Sequence, residues 1–64
     1  MSLESVAGEA MAYLDSVGVA AEYEIIYMHM RIFTDEHIFT CAYDDSKMVF
    51  MRDIAYAYPQ KSPD

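Results

Sequence analysis

The sequence predicts an α+β fold, in which one N-terminal amphipathic helix packs on a three-stranded antiparallel sheet in the order α-β-β-β. Three observations predict it: helical spacing of apolar residues at the N-terminus, period-two alternation further on, and polar breaks between these stretches. The chain has 64 residues, of which 55% are apolar, so it accommodates one domain with a small core. We expect a single domain over residues 1–59 and a flexible polar tail over residues 60–64.

The N-terminal segment has the pattern of an amphipathic helix over residues 3–17. Ser2 precedes it as an N-cap, because its hydroxyl can accept a hydrogen bond from a first-turn amide. Gly18 follows it and can adopt the left-handed conformation that ends many helices. Gly8 lies inside the helix, where it costs stability but permits close approach of a neighbouring element. The apolar residues form one stripe: Leu3, Val6, Ala7, Ala10, Leu14 and Val17.

Residues 22–33 and 37–43 are predicted as the first two strands, with a polar break between them. Alternation in the first strand assigns four apolar residues to the face that meets the helix: Ile26, Met28, Met30 and Ile32. The alternate residues then face outward: Tyr23, Ile25, Tyr27, His29 and Arg31. In the second strand, one face carries Phe39, Cys41 and Tyr43.

Residues 47–51 are predicted as the third strand, because Met-Val-Phe-Met is rich in residues that suit strands. The same region also fits a short C-terminal helix with Ser46 as its cap. In that alternative the helical stripe is Met48, Met51, Ile54, Ala55 and Tyr58. Pro59 ends whichever element precedes it. With a strand here, the outer face of the sheet carries more apolar residues than a solvated face usually does: Tyr23, Tyr27, Ile38 and Phe50.

No group of residues has the spacing of a catalytic, cofactor or metal site. Two short clusters contain metal-ligand types, Met28–Met30 and Asp35–His37, but neighbours in a strand point to opposite faces and neighbours in a turn rarely converge on one ion. Cys41 is predicted to be a buried structural thiol, because its acidic and aromatic surroundings disfavour the thiolate. We therefore expect no enzyme, no cofactor and no metal.

The net charge of −7 excludes a nucleic-acid-binding module, which needs a basic face. A single cysteine and an N-terminus without signal-peptide features indicate a cytoplasmic location. No apolar stretch has the length of a membrane span. The acidic residues are spread over every predicted element. They either keep an apolar chain soluble or present a nucleic-acid-like potential to a basic groove.

In its size, its acidity and its predicted α-β-β-β layout, the chain resembles the small phage-encoded inhibitors, including anti-CRISPR proteins and other DNA mimics. That resemblance implies an inhibitor that acts in the cytoplasm of the host cell and occupies the basic surface where DNA would lie. The implied partner is a basic nucleic-acid-binding protein or a ribonucleoprotein such as a CRISPR effector, with no direct binding to nucleic acid or membrane. From their positions in this sequence, the expected contacts are Glu4, Glu9, Asp15, Asp35, Glu36, Asp44 and Asp45, with Tyr23 and Tyr27 as aromatic anchors.

The alternative reading is a homodimeric structural or regulatory interaction module. In that case two copies associate through the outer face of the sheet, and the acidic residues only keep the protein soluble. The sequence leaves this choice open.

Overall fold

The computed structural model describes residues 2–61. Its elements follow the order α1 (Leu3–Ser16), β1 (Glu22–Ile26), β2 (His29–Phe33), β3 (Ile38–Ala42) and α2 (Lys47–Ala57). The strands form one antiparallel sheet in the order β1-β2-β3. α1 packs on β1 and β2, α2 packs on β3, and the two helices also touch each other. The α+β fold with an N-terminal helix and a three-stranded antiparallel sheet is confirmed, and a second helix completes it.

α1 begins and ends where the sequence predicts, to within one residue. The Ser2 hydroxyl accepts a hydrogen bond from the Ser5 amide at 3.3 Å, and Gly18 has a φ of 77°. The apolar stripe is buried except at its end, where Val17 is half-buried. The expectation for Gly8 is wrong, because a Cβ built at that position would meet nothing within 4 Å. Gly8 therefore weakens the helix without serving a close contact.

The predicted first strand is in fact two strands, because the chain reverses at Tyr27 and Met28. Ile26 pairs with His29 across this two-residue turn, and the register continues to Glu22 opposite Phe33. Pairing across a hairpin puts opposite residues on the same face, so β1 contributes Tyr23 and Ile25 to the helix side. The predicted faces are thus correct for β2 and inverted for β1.

The predicted third strand at residues 47–51 is wrong, and the helical alternative is the correct one. Ser46 caps α2 by accepting a hydrogen bond from the Val49 amide at 3.4 Å. Phe50 and Ile54, four residues apart, are buried against the sheet. Three strands spaced about 4.8 Å apart form a face about 14 Å wide, more than one helix of about 10 Å diameter covers. α2 covers the part that α1 leaves open.

The core lies between the sheet and the two helices. From the sheet it receives Met30, Ile32 and Cys41, all with no exposed surface. Tyr58, which follows α2, joins the layers at one end: its carbonyl accepts a hydrogen bond from the Tyr13 hydroxyl at 2.6 Å, and its hydroxyl lies 2.7 Å from Thr34 Oγ1. In the part of the chain that the structure describes, no helix covers the opposite face of the sheet. Of the predicted tail, residues 60 and 61 have no regular structure, and residues 62–64 lie outside the described residues.

Candidate partner-binding surface

The interior that residues 2–61 form is apolar. Among residues 2–61, no charged or polar residue is buried, and no three His, Cys, Asp or Glu side chains lie close enough together to hold a metal ion. In the Met28–Met30 cluster, Met30 is buried, whereas His29 lies on the opposite, exposed face. The residues that remain for a function are therefore on the surface.

Cys41 lies in β3 opposite Met30, with no exposed surface. Burial raises the pKa of its thiol, and the nearby Asp45 carboxylate raises it further. His29 lies opposite Ala42 on the other face of the sheet, and the His37 ring packs against Phe39 and Tyr58. This environment disfavours a thiolate at Cys41, as the sequence predicts.

The predicted acidic contacts lie at the two ends of the sheet. We call the first the hairpin end, where the β1–β2 turn, the loop at residues 43–46 and the starts of both helices meet. It carries Glu4, Asp44 and Asp45, with Glu9 beside it on α1. The second, the far end, comprises the β2–β3 turn and the region between α1 and β1. It carries Asp15, Asp35 and Glu36.

These acidic residues differ in how strongly the fold holds them. Asp45 Oδ2 accepts a hydrogen bond from the Ala42 amide at 2.9 Å, and Glu9 pairs with Lys47 at 2.9 Å. Glu4 accepts a hydrogen bond from the Ser2 hydroxyl at 3.0 Å. The remaining predicted contacts make no side-chain hydrogen bond or ion pair within residues 2–61: Asp15, Asp35, Glu36 and Asp44.

The acidic surface is largely unneutralised. All ten acidic residues within residues 2–61 have access to solvent: nine are exposed, and Glu24 is half-buried. Only two are in ion pairs there, Glu9 with Lys47 and Glu24 with Arg31, and the latter pair is long at 3.9 Å. Of the other eight, Glu4 and Asp45 accept hydrogen bonds, and the remaining six make no side-chain hydrogen bond or ion pair within residues 2–61.

The two predicted aromatic anchors lie in different surroundings. Tyr23 is at the β1 edge on the helix side, with 49% of its surface exposed. Tyr27 is the first residue of the hairpin turn and is 85% exposed, with a φ of 57°. Neither residue lies on the outer face of the sheet, where the sequence placed them. Phe50, which was assigned to that face too, is a residue of α2 and is buried.

The outer face of the sheet is mixed rather than continuously apolar. Its most exposed apolar side chains, Ile26 and Ile38, are each 63% exposed and lie at opposite corners. Between them runs the row formed by Glu24, Arg31 and Thr40. Of the four residues that the sequence assigned to this face as apolar surplus, only Ile38 lies there.

Three acidic residues belong to the surface but were not among the predicted contacts: Glu22, Glu24 and Asp53. Glu24 is the one in the long ion pair with Arg31. Glu22 lies at the far end beside Asp35, along a depression that both residues line. Asp53 lines a groove between β3 and α2 together with Asp45. The signal for Asp53 was the helical alternative for residues 47–57, since a helix places Asp53 one turn after Val49.

Comparison of the chain with models of protein families, with curated proteins and with solved structures found no match. Within residues 2–61, neither helix has the length and apolar character needed to cross a membrane. The surface geometry is therefore the basis for any functional assignment.

Proposed function

We propose that this protein is a non-enzymatic acidic inhibitor that binds the basic nucleic-acid-binding surface of a partner complex and keeps DNA off it. The observation that carries the proposal is the unneutralised charge: eight of the ten acidic residues in residues 2–61 have no ion pair there. Such a surface attracts a Lys/Arg-rich groove and speeds the encounter with it. It repels nucleic acid itself.

The spacing of the two acidic ends supports DNA mimicry. A five-residue strand extends about 13 Å between its first and last residues at about 3.3 Å per residue. The acidic groups of the hairpin end and the far end are therefore separated by at least that distance. The major groove of B-DNA separates its phosphate backbones by a similar width, about 12 Å. A cleft shaped for duplex DNA thus has basic side chains at positions that both ends can reach.

One class of partner fits these features and the resemblance to anti-CRISPR proteins: an RNA-guided CRISPR effector. Such a complex holds nucleic acid in positively charged channels and must bind DNA before it can act. Other basic DNA-binding proteins present the same chemistry. The proposal names effectors as the partner, because they combine this chemistry with the resemblance.

A second candidate function is a homodimer formed through the outer face of the sheet. The exposure of Ile26 and Ile38 favours it, since no helix covers this face within residues 2–61. Against it, Arg31 lies at the centre of the face, and a two-fold axis through the centre would bring two copies of that cation together. Static light scattering separates the two functions, because a dimer on this face persists at high salt and is lost in Ile26→Ser with Ile38→Ser.

The inhibitor function is tested by DNA release. Purified single-subunit and multisubunit CRISPR effectors are loaded with fluorescent target DNA, and the protein is added at about 50 mM salt, where electrostatic binding is strong. The expected result is competitive release of DNA from at least one effector, reduced when Asp44 and Glu36 are changed to Lys. If every effector retains its DNA at a large excess of the protein, the proposed function is wrong.

A further inference from the structure

We infer that the tip of the β1–β2 hairpin is the apolar anchor of the interface and enters a pocket with an apolar floor and a Lys/Arg rim on the partner protein. The hairpin tip is defined here as Tyr27, Met28 and Tyr43. The inference rests on the proposed function, because it takes the partner to be a basic protein surface. Beyond the proposed function, the inference states that the hairpin tip contributes most of the affinity.

The first observation is the backbone of Tyr27. Its φ of 57° is the one positive value at a non-glycine position within residues 2–61. A positive φ at the first but not the second central residue is typical of a type II′ turn, which favours glycine at that position. A bulky side chain there strains the backbone, and strained residues cluster at binding and active sites.

The second observation is that little of the Tyr27 side chain is covered within residues 2–61. Tyr27 is 85% exposed, and its hydroxyl makes no hydrogen bond within residues 2–61. A tyrosine that strains its turn and leaves 85% of its surface exposed contributes little to folding. Its aromatic ring is of use only when a second molecule covers it, and tyrosine is among the residues that most often dominate binding energy.

The third observation concerns the residues next to Tyr27. Met28 follows it and is 47% exposed, and the Met28 carbonyl accepts a hydrogen bond from the Tyr43 amide at 2.8 Å. Tyr43 is 46% exposed. The three side chains thus come from two adjacent backbone segments at one end of the sheet. Aromatic residues and Met are the residues enriched at the cores of protein interfaces.

The charges around the tip define the partner. Asp44 and Asp45 follow Tyr43 directly, and the start of α1 with Glu4 lies at the same end. An apolar centre with a charged rim is the usual anatomy of a protein interface. Because this rim is acidic, it fits a protein pocket with basic residues at its edge, and it repels nucleic acid and anionic lipid. We therefore commit to a protein as the occupant.

The test separates binding from folding with variants of Tyr27. Tyr27→Gly and Tyr27→Asn remove the ring and suit the positive φ, so the melting temperature stays the same or rises. Affinity for the effector that releases DNA in the assay above falls by about tenfold or more, mainly through faster dissociation. The matched control is Tyr56→Ala, which removes an equally exposed tyrosine near the end of α2 and leaves affinity unchanged.

Three outcomes are distinguishable. If Tyr27→Gly is folded and binds poorly while Tyr56→Ala binds normally, the inference holds. If both variants bind like the parent and binding still depends on the acidic residues, the hairpin tip is not the anchor and only the proposed function stands. If the parent protein binds no effector, the proposed function fails, and this inference fails with it.

Discussion

The Asp45 carboxylate accepts a hydrogen bond from the backbone amide of Ala42 at 2.9 Å. This contact gives Asp45 a structural role that its neighbour Asp44 does not have. In the pairing of β3 with β2, Phe39 and Cys41 direct their backbone groups toward β2, so the Ala42 amide points away from it. Asp45 therefore satisfies an edge amide that has no strand partner. Asp44 makes no side-chain hydrogen bond within residues 2–61, and its charge is free for a partner.

The first prediction follows from this difference. Asp45→Ala lowers the free energy of unfolding by about 1 kcal/mol, because the Ala42 amide loses its acceptor. Asp44→Ala changes it by less than about 0.5 kcal/mol, as expected for an exposed site without contacts. Urea denaturation of both variants measures the two values. Equal losses for the two would mean that the hydrogen bond contributes nothing to the fold.

A second prediction concerns the two glycines. Gly8→Ala raises the free energy of unfolding by up to about 1 kcal/mol, because alanine favours the helix and its Cβ meets nothing within 4 Å. Gly18→Ala lowers it by about 1 kcal/mol, because the φ of 77° there disfavours any residue with a Cβ. Gly8→Ala should therefore raise the midpoints of thermal and urea unfolding, whereas Gly18→Ala should lower both midpoints. A loss of stability in Gly8→Ala would contradict the open surroundings of that position.

A third prediction concerns the hydrogen bond between the Tyr13 hydroxyl and the Tyr58 carbonyl, 2.6 Å long across 45 residues of chain. Tyr13→Phe removes only the hydroxyl, so the free energy of unfolding falls by about 1 kcal/mol. Because neither residue belongs to the hairpin tip or to the acidic residues, partner affinity is unchanged. A folded variant that loses affinity would show that the region around Tyr13 and Tyr58 also belongs to the interface.

The local signals in the sequence were sufficient for α1, because its cap, its stripe and Gly18 all lie within 17 residues of one another. They were not sufficient for the hairpin. The turn Ile-Tyr-Met-His contains no Gly, Asn, Asp or Pro, so the chain reversal has no signal, and the faces of β1 were inverted as a result. Tyr27 occupies the turn position where glycine would have given a signal, and it is also the residue that we assign to partner binding.

The ambiguity at residues 47–57 has a different origin. Met-Val-Phe-Met is compatible with a strand or a helix on propensity alone, and the uncovered half of the sheet decides the outcome. That is tertiary information, which a local pattern does not carry. The grouping of the acidic residues at two ends also depends on tertiary structure. Asp15 and Asp35 are 20 residues apart in the sequence and lie at the same end only because of the topology. The composition predicted the acidic character of the surface, but not its arrangement.

A fourth prediction is a pH dependence of stability. The pKa of the Cys41 thiol is raised by burial and by Asp45, so the native state holds its proton to a higher pH than the unfolded chain does. The contribution of this thiol to the free energy of unfolding is therefore fully present below the ordinary thiol pKa of about 8.5, and it declines as the pH rises beyond that value. Urea unfolding at pH 7 and above about pH 9, with a reducing agent present, measures the decline. Cys41→Ala should show a smaller decline, and an equal decline in both would assign the effect to other groups.

The most direct test of the central claim, that the acidic surface is the binding surface, is the association rate of charge-reversed protein. Asp44→Lys with Glu36→Lys changes one acidic residue at each end, and each reversal adds two units, so the net charge goes from −7 to −3. Neither residue makes a hydrogen bond or ion pair within residues 2–61, so circular dichroism should match the parent. Rates are measured at about 50 and about 200 mM salt against the effector from which the protein releases DNA. We predict slower association and a weaker salt dependence, with dissociation little changed. A folded double variant that associates as fast as the parent at both salt concentrations would contradict the account.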